Sequence, residues 1–132
     1  MAGTDLMTST KTKMLPPSLI VKARQRLSEV ADATPLMYNH NLSNKFGCHV
    51  WLKREDLQVV RSYKIRGAFN RKSSLSQEER QKGVICSSAG NHAQGVALSC
   101  FKLGIHGKIF MPITTPRQKV DKVKMFGQDK VE

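Results

Sequence analysis

The chain reads as an α/β domain: a parallel sheet with flanking helices. Three observations predict this. Short apolar runs at Val84-Ile85-Cys86 and at Lys108 to Met111 have the length and composition of strands. Each is followed by a stretch in which apolar residues recur at helical spacing, Ala93, Val96, Ala97, Cys100 and Leu103 after the first, Val120, Val123 and Met125 or Phe126 after the second. The resulting order of strand, helix, strand, helix builds a parallel sheet covered on its faces by helices. With 132 residues there is enough chain for one modest domain with a core.

Residues 1–14 are polar, rich in Thr and Ser and without periodicity, so they read as a disordered tail that Pro16 and Pro17 close. Residues 15–132 then form the domain. From Ser18, Ile20, Ala23, Leu27 and Val30 fall on one helical face opposite Arg24, Gln25, Ser28 and Glu29, predicting an amphipathic helix that ends near Ala31. Thr34-Pro35-Leu36 begins an extended piece. Leu42 to Phe46 suits a brief helix that Gly47 can end with a positive φ. His49 to Lys53 alternates around Val50 and Leu52 as a strand does, and Arg54-Glu55-Asp56-Leu57 leaves it as a loop.

Ser76 and Glu79 form an S-x-x-E capping box over a short helix that Gly83 ends. Val84 to Cys86 is short and apolar enough for a buried strand. Gly104 stops the helix after it, Thr115 and Pro116 open the next helix as cap and first residue, and Gly127 ends that one. At Lys130-Val131-Glu132 a further strand is starting. No internal repeat interrupts this order.

Two stretches carry chemistry. In Arg61-Ser62-Tyr63-Lys64-Ile65-Arg66-Gly67-Ala68-Phe69-Asn70, Lys64 follows a serine able to cap a helix and precedes a glycine and an alanine. A lysine held on small, approachable backbone can act as a nucleophile. In Cys86-Ser87-Ser88-Ala89-Gly90-Asn91-His92-Ala93-Gln94-Gly95, a strand end passes through a small-residue turn into a helix, presenting backbone N–H groups and short side chains to an anion. Taken singly, a surface ammonium explains the lysine as well, and a simple connection explains the turn.

Composition narrows the partners. Lys and Arg total 22 against 10 Asp and Glu, a net charge of +12, which raises nucleic acid as a partner. The basic residues are spread over every expected element, and the eight aromatics do not interleave with them as a base-stacking platform requires, so no nucleic-acid partner is expected. Three cysteines without C-x-x-C spacing suggest neither a disulfide framework nor a metal site, and fit a reducing cytoplasm. No apolar run is long enough to span a bilayer, so no membrane partner is expected.

Together, S-x-K-x-R-G-A and S-A-G-N-H-A-Q-G-V-A resemble the pyridoxal-phosphate enzymes that dehydrate threonine and serine. Ala33-Thr34-Pro35-Leu36, W-L-K-R-E-D-L-Q at 51–58 and F-M-P-I-T-T-P-R-Q-K-V at 110–120 fit the same family. The last run and R-S-Y-K-I-R-G-A-F-N look most like its biosynthetic threonine dehydratases, over about residues 15–132. The resemblance implies the N-terminal part of a fold-type II, tryptophan synthase β-like enzyme that uses pyridoxal 5'-phosphate. It implies a small-molecule substrate, L-threonine with L-serine as a second, and a homo-oligomer when complete.

By the same resemblance Lys64 forms the Schiff base with the cofactor aldehyde and then acts as base on the substrate α-proton. Asn91 hydrogen-bonds the ring hydroxyl, and Ser88, Ala89, Gly90, Asn91 and His92 hold the substrate carboxylate at the helix start. The products are 2-oxobutanoate and ammonia, the first step of isoleucine synthesis. Related serine racemases have a proton-donating serine where this chain has Ala89, and a methyl group donates no proton, so elimination is favoured over racemisation. A catabolic serine/threonine dehydratase, a non-catalytic partner module and a basic nucleic-acid-binding domain are the alternative readings.

The glycine-rich loop for the cofactor phosphate, the group facing the pyridine nitrogen and the regulatory domain of many biosynthetic members are not in these residues, so this stretch alone is expected to be inactive. It is also expected to leave apolar surface uncovered and to self-associate. Sedimentation velocity on the isolated chain should show concentration-dependent association; a monodisperse monomer at high concentration would contradict it.

Overall fold

The computed structural model describes residues 14–132; all but Met14 of the expected polar tail lies outside the described residues. In chain order the elements are α1 (Pro17–Leu27), β1 (Leu36–Tyr38), α2 (His40–Phe46), β2 (Trp51–Lys53), a 3-10 turn (Glu55–Leu57), α3 (Lys64–Ser73), α4 (Gln77–Lys82), β3 (Val84–Ser87), α5 (Asn91–Leu103), β4 (Gly107–Phe110), α6 (Arg117–Gly127) and a 3-10 turn (Gln128–Lys130). β3 and β4 pair in parallel with Val84 opposite Gly107 and Cys86 opposite Ile109. Val131 bridges Gly107 in the same sense, so the strand expected at the end of the chain does begin there. β1 and β2 form a separate antiparallel pair, Leu36 opposite Lys53 and Tyr38 opposite Trp51.

The helix after the small-residue turn is the centre of the molecule. Every residue of α5 from Ala93 to Cys100 is buried. A helix buried all round must be narrow, and α5 presents Ala93, Gly95, Ala97 and Ser99 to its neighbours. The Ser99 hydroxyl donates to the Gly95 carbonyl at 2.6 Å, which satisfies it without a partner outside the helix. Leu98 packs with Val60, Ile65 and Phe69 of the α3 side. Val96 and Cys100 pack with Ala68 and Cys86 over the parallel sheet, and Ala93 and Ala97 meet Val123 of α6.

At Gly95, α5 comes close to the first turn of α3. A Cβ placed on Gly95 would lie 3.2 Å from the Lys64 carbonyl carbon and oxygen and 3.3 Å from the Ile65 nitrogen, all backbone atoms. A side chain there would make a contact tighter than most Cβ atoms show, and the backbone it meets would have to give way. Gly95 therefore sets how far the start of α3 stands from the start of α5.

Several boundaries differ from expectation. α1 ends at Leu27, four residues early, because the Ser28 hydroxyl and N–H both turn back onto the Gln25 carbonyl. Ile20 of its apolar face is exposed, while Leu27, Val30 and Ala31 still pack on the α3 core. The residues after β2 form a 3-10 turn and not an open loop. Asn39 caps α2, which starts two residues early, and Gly47 ends it at φ 63°.

The Ser76–Glu79 capping box forms with both of its hydrogen bonds. Thr115 does not cap α6: Pro116 is extended, the helix starts at Arg117, and the Thr115 hydroxyl is buried without a partner among the described residues. The positive φ after α6 falls on Gln128, at 47°, and not on Gly127. Gly127 is needed for space, since a Cβ there would overlap the Val131 side chain. On the far helix face Phe126 is partly buried and Met125 exposed, which decides between the two.

The sheet is covered by α5 on one face only within the described residues. Cys86 points to α5, whereas Ile85 is 78% exposed and Phe110 54% exposed on the opposite face, so β3 is not the fully buried strand its apolar run predicted.

Substitution separates the roles of two helical glycines. A Cβ on Gly67, exposed in α3, meets nothing within 4 Å, so Gly67→Ala should stabilise by about 0.5–1 kcal/mol. Gly95→Val should destabilise by about 1–3 kcal/mol by pushing α5 off α3. Urea denaturation of the two variants checks both signs.

Candidate active site

Lys64 is the first residue of α3. The chain reaches it through a tight turn in which Arg61 holds φ at 56°, a conformation costing a non-glycine residue about 1–2 kcal/mol. The Arg61 N–H donates to the Gln58 carbonyl at 2.7 Å and holds that turn closed. Ser62 is buried and does not cap α3 as expected: the cap position is Tyr63, which makes no side-chain cap, and the Ser62 hydroxyl, one residue before it, accepts the Lys64 N–H at 3.0 Å in a local turn. The Lys64 side chain is half-buried, with Nζ 5.0 Å from the centre of the Tyr63 ring.

The small-residue turn leaves the end of β3. The Ser88 N–H donates to the Phe110 carbonyl at 3.1 Å and so ties the turn to the end of β4. The Ser88 hydroxyl accepts the Gly90 N–H at 3.3 Å. Gly90 is extended at the cap of α5, and Asn91 and His92 are its first two residues. The first N–H groups of a helix have no acceptor within it and carry its positive dipole end, so this turn attracts an anion. Asn91 is exposed, and its side-chain amide has no hydrogen-bond partner among the described residues.

Because Gly95 rests on the Lys64 carbonyl, one helical turn beyond Asn91, the two helix starts are neighbours. The structure thus brings Lys64 and the turn from Ser88 to His92 to one place. Ala89 and Gly90 line it with no more than a methyl group. His92 is exposed; its pKa is pushed below the usual imidazole value, first by burial and then by the cations Lys72 and Lys64, which favours the neutral ring.

Reading from residues alone missed what lies behind Lys64. Arg66 reaches back to the 3-10 turn, donating from Nε to Glu55 Oε2 at 2.8 Å and from Nη2 to Glu55 Oε1 at 2.7 Å. The Thr34 hydroxyl donates to Glu55 at 2.5 Å, and Gln58, 1% exposed, exchanges hydrogen bonds with the backbone of Asp32 at 2.8 and 3.0 Å. Lys53 Nζ donates to the Thr34 carbonyl. The words A-T-P-L and K-R-E-D-L-Q are therefore one polar network with R-G-A. The pattern that could have revealed it is a Glu and a Gln three apart in a loop, opposite an Arg two residues beyond the site lysine.

Lys72 was missed as well. It lies on the buried face of α3 beside Cys86 and Cys100, 8% exposed, and burial pulls its pKa down while it raises those of the two thiols. All three cysteines are free. Among the described residues no group of His, Cys, Asp and Glu is placed to hold a metal, and no helix is long and apolar enough to cross a membrane.

An α/β domain that sets a lysine at one helix start against a small-residue turn at another defines a class, and the chain belongs to it: residues 27–132 match the family of pyridoxal-phosphate dependent enzymes. It is 60% identical over 109 residues to the L-threonine dehydratase biosynthetic IlvA of Bacillus subtilis, covering 83% of this chain and 26% of that protein. With the protein of the same name from Halalkalibacterium halodurans it shares 62% over 113 residues, 86% of this chain and 27% of the other. The processed form of threonine deaminase isoform 2 from Solanum lycopersicum superposes with a TM-score of 0.76 at 46% identity, over 87% of this chain and 32% of that one. Maize serine racemase superposes at 0.79 with 34% identity, over 87% and 35%. The chain spans about a quarter of the length of these curated relatives.

The residues present fit part of the family's cofactor. A primary amine suits its aldehyde, a free side-chain amide suits its ring hydroxyl, and unpaired helix N–H groups suit a carboxylate beside it.

Acid should expose the network behind Lys64. Glu55 is held at about 2, from an ordinary 4.5, first by Arg66 and against a smaller opposing effect of burial. A depressed carboxylate pKa contributes stability that is present above pH 4.5 and lost as the pH falls toward 2, here on the order of 1–2 kcal/mol because Arg66 is about a third exposed. Glu55→Gln should flatten that part of a stability-against-pH curve measured by urea denaturation.

Proposed function

We propose that this chain carries the lysine and substrate-carboxylate halves of a threonine ammonia-lyase, which eliminates water from L-threonine and takes water up again as ammonia is hydrolysed off, giving 2-oxobutanoate and ammonia. The observation that supports this reading is the contact of the two helix starts across Gly95, where the backbone of Lys64 meets the first turns of α5. Neither half is sufficient alone. The whole enzyme's setting follows from the same reading: a cytoplasmic, homo-oligomeric enzyme of isoleucine synthesis that takes L-threonine first and L-serine second.

Lys64 would hold the cofactor through its aldehyde, and its amine, once free, would take the proton from the substrate α-carbon. Pyridoxal phosphate, when bound, supplies the electron sink that lets that carbon carry negative charge. Asn91 would donate to the cofactor ring hydroxyl, and the N–H groups of Ala89, Asn91 and His92 would hold the substrate carboxylate, on a turn that the bonded Ser88 and Gly90 N–H groups keep in shape. His92, with its pKa lowered, stands neutral at the edge of the turn and adds a hydrogen bond without a competing charge. Ala89 offers no proton to the opposite face of the α-carbon, so the β-hydroxyl leaves instead of the α-proton returning.

The test joins this chain to the remaining three-quarters of the Bacillus subtilis relative. The joined enzyme should form 2-oxobutanoate and ammonia from L-threonine and no D-serine from L-serine. Lys64→Ala should lower turnover by at least about a thousandfold; near-normal turnover in that variant would remove Lys64 from the mechanism.

A further inference from the structure

We propose that Glu55 and Arg66 are positioning residues for Lys64: their paired hydrogen bonds fix the first turn of α3 and thereby aim the Lys64 amine. This rests on the role given to Lys64 above. Residues two apart on a helix lie about 200° round from one another, so Arg66 grips the back of the turn whose front carries Lys64. The grip is bidentate, Nε to Oε2 at 2.8 Å and Nη2 to Oε1 at 2.7 Å, and two parallel bonds set an orientation that one bond leaves free. Arg66 Nη2 also donates to the Asp32 carbonyl at 2.9 Å.

Glu55 is itself held, by the Thr34 hydroxyl at 2.5 Å, and Gln58 locks the backbone of Asp32 to the same turn. Two separate stretches of chain, 32–34 and 55–58, thus converge on the side of α3 away from the site. On the other side Gly95 presses against the Lys64 carbonyl. Between them, Arg61 keeps its left-handed conformation at the entry to the helix, and such a residue persists only where its surroundings over-determine it. The lysine stem is long and flexible, so the direction of the turn beneath it decides where its amine falls.

The experiment uses the joined enzyme described above, loaded with pyridoxal phosphate, reduced with borohydride and mapped by peptide mass. Three lysines are read together: Lys64, the exposed Lys119 of α6 as a reference, and Lys72, which is buried and takes label only if the fold opens. In the unaltered enzyme the pyridoxyl label should concentrate on Lys64. Glu55→Gln, and Arg66→Lys as a second variant that keeps the charge but loses the fork, should each lower the Lys64-to-Lys119 ratio about tenfold, with Lys72 still unlabelled. An unchanged ratio in both variants overturns the positioning role while leaving Lys64 as the cofactor lysine. Label appearing on Lys72 in step with the loss at Lys64 also overturns it, since the pair then only holds the fold together. If the unaltered enzyme labels Lys64 no more than Lys119, the reading of Lys64 itself fails and the positioning role with it.

Discussion

The contact between Gly95 and the Lys64 carbonyl is the constraint on which the rest of this structure depends. α5 is buried from Ala93 to Cys100 because α3, α6 and the parallel sheet all pack against it, and it can accept them only by being thin. Where α3 crosses, the thinning goes to the limit of having no side chain. The same economy of volume brings the N-terminus of α5 beside the N-terminus of α3. Packing and the candidate site thus meet at one residue: a bulky group there would cost core contacts and push the start of α3 away from the start of α5.

Charge is arranged around that contact in two layers. The side open to a ligand carries Lys64, the helix-start N–H groups and His92 in its neutral form, with Lys72 behind them in the core. The closed side carries Glu55 and Arg66, whose charges cancel in a bidentate pair. The opening therefore presents uncompensated positive potential to an anion, while the support beneath it adds order without net charge. Glu55 is 15% exposed and Arg66 34%, so the pair avoids the full cost of taking two ions out of water.

Much of this was legible in the sequence. Helical periodicity from Ala93 to Leu103, the Ser76–Glu79 box and Gly104 were enough to place α4 and α5, because periodicity and caps are local properties. The parallel pairing of β3 with β4 followed from element order. The two halves of the site were visible as motifs, but their meeting point was not: Gly95 and Lys64 are distant in sequence, and no local pattern says which glycine is there to make room. Glu55 reads as a loop residue for the same reason, since its partners Arg66 and Thr34 are brought to it only by the fold. A threonine before a proline has the chemistry of a cap, but here Pro116 takes the cap position and the helix starts one residue later, at Arg117. Ile85 belongs to the same class: an apolar run cannot tell which of its faces this stretch of chain covers.

The measurement that tests the account most directly is a nuclear Overhauser effect between the Gly95 α-protons and the Ile65 amide proton in isotope-labelled protein. The structure places the Cβ direction of Gly95 3.3 Å from the Ile65 nitrogen, so a strong cross-peak is predicted. Its absence, with the internal contacts of α3 and α5 still present, would mean that the two helix starts stand apart and that Lys64 and the Asn91 turn do not form one site.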